Sequence, residues 1–195
     1  MGAIVAIARG LGAVNAGLLA LGRWIGVGAM GLMVIAILIQ VFWRYVLSNP
    51  LPWPEEAARF LMLWMTGLVA PTAFRRGGFV AIDMIQLALP RVLGGVLTLA
   101  LLGLSLVVLV TAARIGWAEV TGFSGKFKTS ALYFPAAGGW EKMPRSWMMG
   151  SILVGMVLLS LVAAELILRQ VAALAGRDGD LPEIPEASDM AAGAE

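Results

Sequence analysis

Four apolar stretches, each long enough to cross a bilayer, constrain this chain more than any motif in it. Crossing about 30 Å of hydrocarbon takes roughly 17–25 helical residues. Runs of that kind lie at residues 24–47, 57–74, 92–113 and 147–168. No water is available inside the bilayer to satisfy backbone polar groups, so each run must be a helix. The expected fold is all-α and integral to a membrane, with four transmembrane helices. Of the 195 residues, 60% are hydrophobic and 13% charged, against about 45–50% and 25% in soluble domains. So much apolar surface must face lipid or other membrane subunits.

The tryptophans agree with these boundaries. Trp24, Trp43, Trp53, Trp117 and Trp147 fall at or near proposed helix ends, where an amphipathic ring prefers the headgroup layer. Trp64 lies inside the second run. Residues 1–21 form a separate segment. Ile4, Ile7, Leu11, Val14, Leu18 and Leu21 repeat at three- and four-residue spacing, the period of an amphipathic helix. A signal peptide would need a basic region ahead of its apolar core, whereas Arg9 interrupts the run. An interfacial or partner-packed helix leading into the first span is expected. The membrane domain then covers residues 22–170.

Between the first two runs, Pro50, Pro52 and Pro54 stop one helix and open the next. After the second, Arg75-Arg76-Gly77-Gly78 breaks the chain, and a short amphipathic helix is expected from Asp83 to Leu89, ahead of Pro90. Asp83 suits its cap, with Gln86 three residues on. The connection at 116–146 is the longest between helices and reads as a loop rich in Gly, aromatics and Lys. Residues 171–195 are acidic and nearly free of bulky apolar side chains, a composition expected to be disordered.

Composition also removes whole classes of function. With no Cys and no His, thiolate or imidazole metal sites, iron–sulfur clusters, His-ligated haem and His acid–base chemistry are excluded. No catalytic residue, cofactor site or metal site is expected. The net charge of +2 without a basic cluster gives no sign of nucleic acid. A charge count does not orient the chain: with a cytoplasmic N-terminus, seven of the 14 basic residues fall on each side.

Few polar residues remain to carry function. Glu55 and Glu56 sit in the first turn of the second helix, where the helix dipole favours carboxylates, and Arg59 follows Glu55 at the favourable spacing of four. The plain reading is helix-end electrostatics; the sharper one is contact with another subunit at the membrane surface. Consecutive helical residues point about 100° apart, so the two glutamates do not form a shared-proton dyad. Arg75 and Arg76 read first as a stop-transfer anchor. Glu165 and Gln40 lie inside spans. A central carboxylate costs about 2.5–3.5 kcal/mol on insertion scales, and Arg169, four residues on, offers Glu165 a local pair. Gln40 can bridge helices by hydrogen bonds. Gly22 and Gly26 carry the small-residue spacing of close helix packing. A transporter's own site gathers several polar groups near the midplane; these isolated residues argue against a substrate path through this chain alone.

The stretch Val41-Phe42-Trp43-Arg44-Tyr45, Pro50-Leu51-Pro52-Trp53-Pro54-Glu55-Glu56-Ala57-Ala58-Arg59, then Trp64, Gly67 and Arg75-Arg76-Gly77-Gly78-Phe79-Val80-Ala81-Ile82-Asp83 resembles the small membrane subunit, DctQ-like, of tripartite ATP-independent periplasmic transporters. Members often carry His where this chain has Phe79, so no imidazole role carries over. The resemblance implies a scaffold bound to a large polytopic DctM-like subunit that moves an organic anion with a sodium gradient. A DctP-like periplasmic binding protein would deliver the substrate. It also implies the bacterial inner membrane and cytoplasmic termini. Trp53, Glu55, Glu56, Arg59, Arg75, Arg76 and Asp83 would then be partner-interface candidates. Lys126, Lys128, Lys142 and Arg145 would face the binding protein. The competing expectation is an autonomous homo-oligomeric transporter with Glu165 as its coupling carboxylate.

Overall fold

The computed structural model describes residues 2–76, 90–136 and 139–176, together with Pro182 and Ile184. Among the described residues there are four α-helices: α1 (Gly2–Tyr45), α2 (Trp53–Arg75), α3 (Arg91–Thr121) and α4 (Ser146–Leu174). All four are long and apolar enough to span a membrane. The chain is a multi-pass membrane protein.

The helices outrun the apolar stretches that announce them. Residues 2–21 are helical as expected, but no break separates them from the first span. The 44 residues of α1 extend about 66 Å at 1.5 Å each, twice the hydrocarbon thickness. The helix ends where Ser48 adopts a left-handed conformation (φ 50°) and the Asn49 N–H donates to the Trp43 carbonyl at 3.1 Å. The prolines that follow cannot rebuild the lost turn. In α2, Pro71 lies within the helix, so the Gly67 carbonyl loses its usual partner four residues on. The short helix expected at 83–89, with Asp83 and Phe79, lies outside the described residues.

The long connection is a correction. It is not one irregular loop: α3 continues to Thr121, a 3₁₀ turn covers Ser124–Lys126, and an antiparallel hairpin follows, β1 (Lys128–Ala136) and β2 (Gly139–Pro144). Tyr133 pairs with Lys142 and Phe134 with Glu141, and the register is irregular between Lys128 and Tyr133. The β-branched and aromatic residues of Thr129–Phe134 favour extended backbone, and a glycine in the two-residue link between two extended runs is a hairpin signal. The Arg145 N–H closes the base on the Phe127 carbonyl at 2.7 Å.

The chain divides into two compact units, to each of which all four helices contribute. The first comprises Met1–Ala20, Ala70–Thr111 and Val157–Glu195; the second comprises Leu21–Val69 and Ala112–Met156. In the first, Val5, Ala8 and Ala172 are buried against Leu168. In the second, helix backbones nearly touch. A Cβ on Gly155 would lie 2.9 Å from the Gly67 Cα, and one on Gly22 would lie 3.1 Å from the Leu68 carbonyl. The small-residue spacing at Gly22 and Gly26 is therefore used, against α2. In both units the buried residues are largely small, while Trp24, Leu38, Leu104 and Val107 are exposed. That is the inverse of a soluble core and the pattern expected where lipid, not water, is the solvent.

Candidate functional site

Glu165, at the inner side of α4, is fully buried. Its carboxylate collects four hydrogen bonds. Arg75 on α2 donates from Nε to Oε2 at 2.9 Å and from Nη2 to Oε1 at 2.7 Å. Arg169, one turn along α4, donates from Nε to Oε1 at 3.0 Å. Asn15 on α1 donates from Nδ2 to Oε2 at 2.8 Å. An ionised carboxylate offers about four lone-pair sites, so this one is saturated. The two-pronged contact from Arg75 is the strongest neutralising geometry a carboxylate can receive.

The sequence foresaw only part of this node. The Arg169 pair follows from spacing on one helix. Arg75 read as an anchor facing water; in the structure its side chain is 13% exposed and turned onto a residue 90 positions away. Asn15 was not singled out at all. It is buried to 1%, and a lone Asn among Leu, Ala and Gly at the buried side of an apolar helix was the available signal.

Gly12 makes room for the node. Arg75 Nη2 also donates to the Gly12 carbonyl at 3.0 Å. A Cβ on Gly12 would lie 3.0 Å from Glu165 Oε1 and 3.2 Å from Arg169 Nη2. Any side chain there competes with the guanidinium groups for the same space. Arg169 also donates from Nη1 to the Pro182 carbonyl at 2.8 Å.

The other sequence-selected residues lie apart from this node. Trp53 is exposed at the start of α2. Glu55 pairs with Arg59 on an exposed face, where solvent screening leaves little net energy. Glu56 points elsewhere, as the 100° step between neighbours requires. It accepts the Ala131 N–H of the hairpin at 2.5 Å. The two glutamates thus differ in kind: one decorates a surface, the other ties β1 to the first turn of α2. Arg76 directly follows α2, its backbone N–H shared between the Thr72 and Ala73 carbonyls at 3.2 and 3.3 Å.

The basic residues of the connection cluster at the hairpin. Lys128 Nζ lies 4.0 Å from Glu141, and Lys142 Nζ sits 5.9 Å from the Tyr133 ring centroid. Lys126 and Arg145 are exposed at its base. Gln40 is half-buried on α1, and Trp64 packs at 6.2 Å on Phe60 within α2. Among the described residues no group of three or more acidic, His or Cys side chains is arranged to hold a metal ion.

Residues 33–173 match the model of the family described as tripartite ATP-independent periplasmic transporters, DctQ component. No curated protein matches the chain.

Proposed function

Because the chain belongs to the DctQ family of tripartite ATP-independent periplasmic transporters, we propose that it is the non-catalytic scaffold of a sodium-driven organic-anion importer. In this reading it supports a large DctM-like transport subunit and helps a DctP-like periplasmic binding protein to dock. It resides in the bacterial inner membrane with both termini in the cytoplasm.

The observation that favours a scaffold over a transporter is the saturation of Glu165. A coupling carboxylate must exchange partners as a proton or cation arrives, and intramembrane carboxylates that do so line pathways open to water. Glu165 is fully buried and holds four donors. Its charge is spent on joining three helices. That counts against the autonomous homo-oligomeric transporter.

On this reading the partner contacts divide. Trp53, Glu55, Arg59, Arg76 and Asp83 meet the large subunit near the membrane surfaces. Glu56 and Arg75 act through the fold, by holding the hairpin and Glu165. Lys126, Lys128, Lys142 and Arg145 present positive charge toward the binding protein.

Purification of a tagged copy from its native host in mild detergent, with mass spectrometry of what accompanies it, tests the reading. A stoichiometric large polytopic partner is expected. Recovery of the chain alone or as a homo-oligomer, with uptake by that species in liposomes abolished by Glu165→Gln, would overturn it.

A further inference from the structure

Phe123 and Phe127 are large aromatic side chains left 78% and 55% exposed. They pack edge-to-face at 5.3 Å across the 3₁₀ turn Ser124–Lys126. The turn is folded tightly back on α3: a Cβ on Gly125 would run into the Val120 and Glu119 carbonyls. The aromatic pair is therefore held outward by backbone.

The level of this pair along the helices can be read from one contact. A Cβ on Gly116 of α3 would lie 3.7 Å from the Leu153 Cα of α4. From Gly116, α3 runs five residues to Thr121; from Leu153, α4 runs back seven to Ser146. At 1.5 Å per residue both helices end within about 7–11 Å of that contact. The apolar run of α4 starts at once, at Trp147. The Phe127 carbonyl is bonded to the Arg145 N–H, one residue before α4. The base of the hairpin thus stands where a membrane-spanning helix meets the bilayer surface.

Charge and ring type suit that depth. Residues 123–145 carry Lys126, Lys128, Lys142 and Arg145 against a single acid, Glu141. Lys128 lies near that acid and Lys142 over Tyr133. Among the described residues Lys126 and Arg145, at the base, have no ion-pair partner. Exposed Phe rings on an interfacial element suit the boundary between headgroups and acyl chains, and Lys or Arg beside an anionic surface is attracted to it.

We propose that Phe123, Phe127, Lys126 and Arg145 form a membrane foot, in which the rings rest at the boundary between headgroups and acyl chains and the two cations bind anionic phospholipid headgroups. The foot fixes the standing of the hairpin on the membrane. It rests on the chain's membrane helices and not on the transporter reading, and it reserves Lys128 and Lys142 for any soluble partner.

The chain has no Cys, so Phe123→Cys and Phe127→Cys each give a single site for a nitroxide. Both positions are exposed, and neither change removes buried packing. The labelled chain is placed in nanodiscs of zwitterionic lipid, with or without phosphatidylglycerol, and probed with oxygen and a water-soluble nickel chelate. Both labels are expected to be more accessible to oxygen than to nickel. Adding Lys126→Glu and Arg145→Glu should raise nickel accessibility in the anionic discs and leave the zwitterionic ones unchanged. Free access of nickel to both labels would overturn the foot. So would shielding that appears only when the purified binding protein of the same complex is added, which would assign the surface to that protein. Shielding that is the same with and without anionic lipid, and unchanged by Lys126→Glu and Arg145→Glu, would leave the aromatic anchor and overturn the headgroup site.

Discussion

Arg75 and Glu165, on different helices, meet through two hydrogen bonds of 2.9 and 2.7 Å in a buried site. This pair determines how α2 and α4 are registered in their shared unit, and Asn15 brings α1 to the same carboxylate at 2.8 Å. Three helices converge on one negative charge. Removing one partner of a buried pair costs more than the pair itself contributes, because the remaining charge is left uncompensated.

Arg75→Ala should therefore destabilise the chain by about 3–5 kcal/mol, read as a fall in the detergent unfolding midpoint. Arg75→Lys should retain part of the stability, since an ammonium keeps the charge but not the planar fork. Combining Arg75→Met with Glu165→Leu should cost less than the two single changes added together. Additive losses would show that the two residues are not coupled.

Gly12 should behave as part of the same site without bearing any charge. A Cβ there lies close enough to Glu165 Oε1 and Arg169 Nη2 that a bulky side chain must displace them. Gly12→Leu should cost about 1–3 kcal/mol as overpacking, while Gly10→Leu, at an open position, should be nearly silent. The comparison needs only thermal unfolding of the two variants in one detergent.

The crossing of α2 and α4 makes a second glycine contrast. A Cβ on Gly155 meets backbone atoms of Gly67 at 2.9 and 3.0 Å, and backbone cannot rotate away. Gly155→Ala should lower the unfolding midpoint. Gly17→Ala on α1, with nothing within 4 Å, should leave it unchanged or raise it by up to about 1 kcal/mol through helix propensity. Equal effects at both sites would contradict the close approach.

Glu55 and Glu56 should separate cleanly. Glu55→Ala breaks an exposed pair and should change stability by less than about 1 kcal/mol. Glu56→Ala leaves the Ala131 N–H without its carboxylate and should cost about 1–3 kcal/mol if that amide stays dry. Hydrogen exchange at Ala131 reads the difference directly: faster in the Glu56 variant, unchanged in the Glu55 variant.

Several features were legible in the linear sequence because their causes are local. A run of apolar residues longer than the bilayer is thick has to be a helix, and prolines and glycines mark where it stops. The 100° step along a helix separates Glu55 from Glu56 before any coordinates are known. Spacing of four joins Glu165 to Arg169. The hairpin was missed because its strands follow a helix that overruns its apolar stretch. Its signals, a β-prone run followed closely by Gly138-Gly139, were diluted within a Gly- and aromatic-rich segment.

What the sequence determined by itself is the solvent: 60% hydrophobic residues in runs of bilayer length require lipid, whatever the helices do to each other. It also determined the four spanning helices and, through the absence of His and Cys, the chemistry that is excluded. Only the tertiary structure decided which polar residues face inward. Arg75 and Glu165 are 90 positions apart, and no local period links them. An arginine after an apolar run reads the same whether it anchors to water or neutralises a buried acid. The choice is made by which helices come together, since a carboxylate buried in a low-dielectric interior is tolerated only where other segments deliver its donors.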